Sequence, residues 1–348
     1  MPNLILDNVI MTQSMLERLK SSKKLEAASI AKTLKVKIAS VLATIEGNIN
    51  SRSRSEYIIG LLKKELKSLI DNYSMRLLDD MREIALLLIT IEQLSFTQIF
   101  SDKEIRLPEN EQVFSALENR PLSLKNWNKG LYLPSFISAW SSLALSQISN
   151  SVTQTFAQGE SINYLSSLLY GNKFGVSVLV KISNDYDSIA CTAMQHAQSV
   201  ACTEFYLANP DLIVGEEFAA ILDSSTSVIC RTLDGTVYPV GVGPRPPLHF
   251  RCRSKTLPII NEKLLSPDSE LNNVKSVYGD ETYYQWLARQ SPKRQDLVLG
   301  KTKGKLFRDG GLTSEQFRKL QLHKNFKPMT LDEMRKAVPD AFEKASLN

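Results

Sequence analysis

The stretch Ile58-Ile-Gly60-Leu-Leu62-Lys-Lys-Glu-Leu66-Lys-Ser-Leu69 opens a long apolar stripe. It continues through Tyr73, Leu77, Met81, Ile84, Leu88 and Ile91, always at steps of three or four residues. That period places one apolar face on an α-helix. Upstream, Ile30, Leu34, Ile38, Val41 and Ile45 repeat the pattern. Between Pro2 and Pro108 there is no proline, and the only glycines are Gly47 and Gly60. Helix breakers are therefore scarce. The polar run from Glu46 to Ser55 interrupts the stripe and reads as a turn. The pattern predicts two long antiparallel helices over about 16–45 and 55–100, the second roughly 65–70 Å long. Such helices suit either an arm that docks on a larger complex or a self-contained bundle.

Composition narrows the class. The chain has 348 residues, 43% hydrophobic and 23% charged, an ordinary globular mix that excludes whole-chain disorder. Its longest purely apolar run is Ile84 to Ile89, far short of the roughly 20 residues that cross a bilayer. The N-terminus carries no signal-peptide pattern. Four cysteines do not make a disulfide framework, which points to a reducing cytosol. The net charge is +5, unevenly spread. Residues 150–230 hold 2 basic and 8 acidic side chains, residues 231–255 hold 5 and 1, and residues 286–327 hold 11 and 3. A basic block beside an acidic one suggests contact with nucleic acid or an acidic protein surface, or simply a solvated charged face.

The middle is less patterned. Trp127, Tyr132, Phe136 and Trp140 read as a core cluster, 135–156 as a helix, 174–181 as a strand or a buried helical turn, and 184–208 as a helix. His196 and Cys202 lie six residues apart, a spacing that does not share a helix face, so they read as packing residues.

Further on stands Cys230-Arg-Thr-Leu-Asp234-Gly235-Thr-Val-Tyr-Pro-Val-Gly-Val-Gly-Pro244-Arg-Pro-Pro247-Leu-His249-Phe-Arg-Cys252-Arg253-Ser254. Two β-rich runs flank Asp234-Gly235, which predicts a type I′ hairpin with Leu233 facing Thr236 and Cys230 opposite Pro239. The Pro/Gly-rich run is a rigid return loop. Cys230, His249 and Cys252 could then converge at the hairpin base as metal ligands. A structural zinc takes four such donors and only three are present. A packed or oxidised cysteine pair is the alternative. No acid or second histidine is spaced to make an acid–base pair with His249, so no catalytic residue and no enzyme activity are expected.

The ordered set Thr226…Cys230…Asp234-Gly235…Pro246-Pro247-x-His249-x-x-Cys252-Arg253 resembles the phage head-morphogenesis family, the Mu F-like minor head proteins. So do Trp286-Leu-x-x-Gln290, Gln295-x-x-x-Leu-Gly300, Gly310-Gly-Leu-Thr313 and Met329 to Met334. Ser254 stands where that family often has a final cysteine. The resemblance spans about 223–342 and implies a minor head protein of a tailed phage. Such a protein is made in the host cytoplasm and held in few copies inside the head at the portal vertex. The portal protein, other head proteins and packaged double-stranded DNA would be its partners, with no membrane and no cofactor beyond a possible zinc.

In the C-terminal part, Trp286, Leu287 and Gln290 are expected on one face of a helix that Gly300 closes. Lys301, Lys303, Lys305 and Arg308 are expected in a Gly-punctuated loop, with Arg289, Lys293 and Arg294 nearby. These seven cations are the candidate DNA contacts. Gly300-Lys-Thr-Lys-Gly304-Lys305 falls one residue short of a phosphate loop, and Leu306 stands where the Mg²⁺-binding hydroxyl belongs. Thr313 or Ser314 should cap a final helix through about Lys319, and Thr330 should cap 331–338, with Glu333 three residues on. The expected fold is α+β and mainly helical. It divides into a long-helix region (1–105), a helical middle (106–215) and a small α+β module (216–348). Two other functions fit the residues: a stand-alone zinc-knuckle-like nucleic-acid binder, and a nuclease or toxin effector using His249.

Overall fold

In a computed structural model, the structure describes residues 4–45, 47–124, 131–171, 177–264, 282–323, 325 and 327–347. Helices α1 (Leu4–Leu42) and α2 (Arg52–Ile99) pack together as the two long elements. The helix α1 begins well before the expected residue 16. Ser51 caps α2, its hydroxyl accepting from Arg54 N at 3.2 Å, so the second helix starts inside the polar run. At 48 residues α2 is about 72 Å long. Ile58, Leu62, Leu66, Leu77, Met81 and Leu88 are buried as the stripe requires. Ile70 and Ser74 replace Leu69 and Tyr73 at the centre of that face. The helix is packed from two sides, so its buried face is wider than one stripe.

Next come α3 (Asn110–Asn119), α4 (Leu133–Ala157), α5 (Ile162–Tyr170) and α6 (Val178–Ala208). The ambiguous segment is helical from Val178 onward, while Phe174 to Val176 lie outside the described residues, as does Trp127. Phe136 and Trp140 are core residues and Tyr132 is exposed. Trp140 donates to Ile182 O at 3.1 Å and meets the Tyr186 ring edge-on. Against α6 pack α1, α2, α3 and α4. Every residue of α6 from Ile189 to Tyr206 is buried. One apolar cluster runs from Leu16 to Ile213, so the first two regions share a core. Among the described residues no helix is long and apolar enough to cross a membrane.

The last third carries three antiparallel strands in the order β2-β1-β3: β1 (Ile213–Ala219), β2 (Thr236–Tyr238) and β3 (Lys255–Ile260). Helix α7 (Val228–Leu233) lies between β1 and β2, and it overturns the expected hairpin. Ser227 caps α7 by accepting from Cys230 N at 3.3 Å. Asp234 (φ −53°, ψ 132°) and Gly235 (φ +73°) then make a type II reversal from helix to strand. Asp-Gly serves this turn as well as the type I′ form. The partner of Thr236 is Phe218, not Leu233.

Helices α8 (Tyr283–Ala288), α9 (Pro292–Leu299), α10 (Lys301–Asp309), α11 (Ser314–Lys319), α12 (Leu331–Ala337) and α13 (Pro339–Lys344) complete the chain. The single helix expected up to Gly300 is two, because Pro292 starts a new one behind the Ser291 cap. Leu287 is buried, whereas Trp286 and Gln290 are half-buried and Gln290 lies past the helix end. Gly300 does close α9, at φ +79°. The expected cationic loop is instead α10. Its Gly304 sits so close to α9 that a Cβ would come 2.2 Å from Asp296 Oδ1, which makes this a packing glycine and not a loop glycine. Thr313 with Gln316, and Thr330 with Glu333, form capping boxes as expected, but α11 is not the final helix.

Gly235→Val adds a β-branched side chain at positive φ, and even a Cβ there meets Thr282 Cγ2 at 3.0 Å. Urea unfolding should show a loss of roughly 1–3 kcal/mol, larger than for Gly235→Ala. Equal midpoints for the two variants and the parent would remove the turn as a constraint.

Candidate metal centre

Two local devices bring the soft donors together. The cap at Ser227 starts α7 and fixes Cys230 on its first turn. The segment His249 to Cys252 closes on itself, with Cys252 N donating to His249 O at 3.2 Å and Arg251 in the left-handed region at φ +56°. Pro247, buried just before it and joined to Pro246 by a cis peptide bond, leads the chain in.

The donors converge as expected, though from a helix and a loop. Cys230 Sγ lies 3.3 Å from His249 Nε2 and 3.7 Å from Cys252 Sγ, and all three donor atoms lie within 4.8 Å of one another. A disulfide would need about 2.05 Å, and all four cysteines of the chain are free. A tetrahedral zinc with bonds of about 2.3 Å to sulfur and 2.0–2.1 Å to nitrogen separates its ligands by roughly 3.5–3.8 Å. The observed spacings therefore fit a metal ion. His249 Nδ1 donates to Phe250 O at 2.9 Å. This fixes the tautomer and turns Nε2 toward the sulfurs, the usual outer support of a metal-bound imidazole.

Protonation favours the same use. The hydrogen bond from Cys230 holds the Cys252 thiol well below its ordinary value, against burial, and His249 adds to the effect. Cys230 is driven up by that same bond and then by burial. Burial lowers His249, but its bond to Cys252 and that residue's charge outweigh burial and raise it. These directions favour the thiolate, the ligand form of cysteine, at Cys252 over Cys230.

The other residues of the motif tie the module together. Asp234 is buried and accepts from Ala220 N and Tyr283 N, both at 2.7 Å, joining the end of β1 to α8. Arg253 makes two bonds to Asp223, at 2.7 and 2.8 Å, and Tyr283 donates to Asp223 O at 2.6 Å. The Thr226 hydroxyl donates to Asp223 Oδ1 at 3.2 Å and also to Ile221 O. Gln295 Nε2 reaches Leu287 O and Gln290 O, each at 3.0 Å, and so bridges the break between α8 and α9. Gln290 donates to Trp286 O at 3.3 Å, and the Arg294 guanidinium lies over the Trp286 ring.

The return loop is clamped onto α6. Arg245 pairs with the buried Glu216 and donates to Thr203 at 2.7 Å. Arg251 pairs with Asp187 at 2.6 Å, its N–H donates to Thr192 at 2.9 Å, and Gln195 donates to Ser254 O at 2.8 Å. Three arginines of the basic segment 231–255 thus meet three acids of the acidic segment 150–230. Part of the charge asymmetry that suggested an external partner is internal pairing. Nothing in the local sequence links Asp187 to Arg251 or Thr203 to Arg245; only opposite block charges hinted at it.

The candidate DNA contacts divide. Arg289, Lys293, Arg294 and Lys301 are exposed. Lys303 is half-buried, bonds to Met329 O at 3.3 Å, and burial lowers its pKa. Lys305 bonds to Ser346 O at 3.4 Å, and Arg308 pairs with Asp296 at 2.7 Å. His196 is a core residue bonded to Leu117 O at 3.1 Å, and burial pushes it down to about 4. Cys202 is buried beside Glu92 at 3.6 Å.

A cavity of about 500 Å³ adjoins the centre, bounded by Lys20 and Lys24 of α1, Asp187 of α6, and Cys230, His249 and Arg251. In comparison with known proteins, no family model, no curated protein and no solved structure matches this chain.

Burial pushes the Asp234 carboxyl up to about 6 from its ordinary 3.8, with the two backbone N–H bonds pulling the other way. Between those values the folded chain holds a proton that the unfolded chain has released. The stability this supplies is full below about pH 4 and is lost as pH rises through 6. Unfolding free energies of the parent minus those of Asp234→Asn should therefore fall by roughly 2–3 kcal/mol between about pH 4 and pH 7 in urea titrations. A constant difference would show that Asp234 does not titrate in this range.

Proposed function

We propose that this chain is a minor head protein of a tailed phage, a helical docking body that carries a metal-pinned module and performs no reaction. The observation that carries the reading is the convergence of Cys230, His249 and Cys252 at ligand spacing, inside the stretch that resembles the Mu F-like proteins. Residues of the same resemblance, Asp234, Arg253 and Gln295, spend their polar groups on holding strand and helices together. That is the expected use of motif residues in an assembly part. Cys230 and Cys252 as thiolates and His249 through Nε2 would hold a zinc ion. The ion would cross-link α7 to the return loop and so stabilise the module.

In this reading the chain assembles in the host cytoplasm, docks at the portal vertex through its long helices and faces packaged double-stranded DNA inside the head. The exposed cations Arg289, Lys293, Arg294 and Lys301 support the DNA contact, because phosphate binding needs charge and reach rather than shape.

The test is mass spectrometry of purified virions and proheads of the phage that encodes the chain. The chain should be present in fewer copies than the portal subunit. Its absence from both particles would overturn the reading. Purified protein should carry about one zinc, and Cys252→Ser should lose it together with thermal stability. If the four exposed cations each meet one phosphate, log K for duplex DNA should fall with log salt at a slope near roughly −3.6. Replacing all four with Gln should flatten the slope; an unchanged slope would move the DNA contact elsewhere.

A further inference from the structure

We infer that the metal ion at Cys230, His249 and Cys252 keeps one coordination position open to the adjoining cavity, and that this position takes a carboxylate. The inference rests on the metal reading above and goes beyond it. The first support is the donor count. Zinc takes four donors in a tetrahedral site, and three protein donors with one exchangeable position is the pattern of sites that accept an outside ligand. Among the described residues no carboxylate joins the three donor atoms. Glu17, the acid that α1 brings to the cavity, is bonded instead to Gln13 at 3.0 Å and Lys20 at 2.9 Å. Asp187 is held by Arg251.

The second support is direction. Cys252 is fully buried, whereas Cys230 and His249 line the cavity. The cavity is therefore the side from which an outside donor can reach the group. Ser254 also lines the cavity, and its carbonyl is anchored by Gln195. The Ser254 hydroxyl bonds to Cys230, and a neutral alcohol is a far weaker zinc ligand than a carboxylate, so a carboxylate can displace it.

The third support is charge and room. The cavity lining carries Lys20, Lys24, Arg251 and Arg253 against Glu17 and Asp187. Lys20 is paired with Glu17, Arg251 with Asp187 and Arg253 with Asp223, so among the described residues Lys24 is the lining cation left to meet an anion, and carboxylate oxygen is a common zinc donor at about 2.0–2.2 Å. About 500 Å³ is ample for a small carboxylic acid or an acidic side chain.

The experiment loads the full chain with cobalt(II), whose visible bands report its ligands, and adds sodium acetate at constant ionic strength. The expected result is a saturable shift of the cobalt d–d bands, while the thiolate-to-cobalt absorption and the metal stoichiometry stay unchanged. Ser254→Cys should raise the thiolate-to-cobalt absorption about 1.5-fold, three sulfurs for two, and abolish the acetate response. Lys24→Gln should bind cobalt like the parent and weaken acetate roughly two- to fivefold. Cobalt bound with bands indifferent to acetate would overturn the open position while leaving the metal reading intact. Failure to bind cobalt or zinc at all would overturn both.

Discussion

The burial of α6 is the constraint on which the rest depends. From Ile189 to Tyr206 every residue of this helix is buried. A polar group in that position must find a protein partner or cost roughly 1–3 kcal/mol. Several of those partners belong to the return loop. Thr192 accepts from Arg251 N, Gln195 donates to Ser254 O, and Thr203 accepts from Arg245. These bonds tie the loop to the helix, and the tied loop places His249 and Cys252 opposite Cys230. A region that shows no reactive pattern in sequence positions the one cluster that does.

Much of the fold is legible in the chain. The 3.6-residue stripe yields both long helices because their stability comes from one apolar face packing over many turns. Thr313/Gln316 and Thr330/Glu333 are readable because a capping box is a local, reciprocal bond pair. The convergence of Cys230, His249 and Cys252 is readable because a tight reversal and a proline-rich return leave few other paths. The hairpin is not, and the reason is specific. The six residues of α7 are too few for propensity to decide. Burial of Ile229, Cys230 and Leu233 decides instead, with the Ser227 cap. Gly304 misleads in the same way. A glycine signals a loop or a close approach equally well, and only its neighbour, Asp296, tells which.

Charge shows the widest gap between sequence and structure. Counted along the chain, residues 231–255 look like a basic surface and residues 150–230 like an acidic one. In space Arg245 meets Glu216, Arg251 meets Asp187 and Arg253 meets Asp223. Further on, Arg308 is taken up by Asp296, while Lys303 and Lys305 reach backbone carbonyls. Of the seven candidate cations, Arg289, Lys293, Arg294 and Lys301 stay exposed. A net charge bounds the strength of an external field only after the internal pairs have been subtracted.

The arginine pairs and the soft-donor cluster then divide two tasks. Partly buried ion pairs add little net stability, because desolvation consumes most of the attraction. Their strength is direction: a guanidinium fork accepts a carboxylate in few orientations. Arg253 gripping Asp223 through both oxygens, and Arg245 gripping Glu216, set the register of the loop against the sheet and α6. Neither supplies a strong cross-link between the loop and α7. The three donors span that gap, with Cys230 on α7 and the other two on the loop. Because the loop is already held in register, a metal ion at this point would find its ligands placed rather than have to gather them. Its binding energy would then go into joining α7 to the loop instead of into ordering the chain.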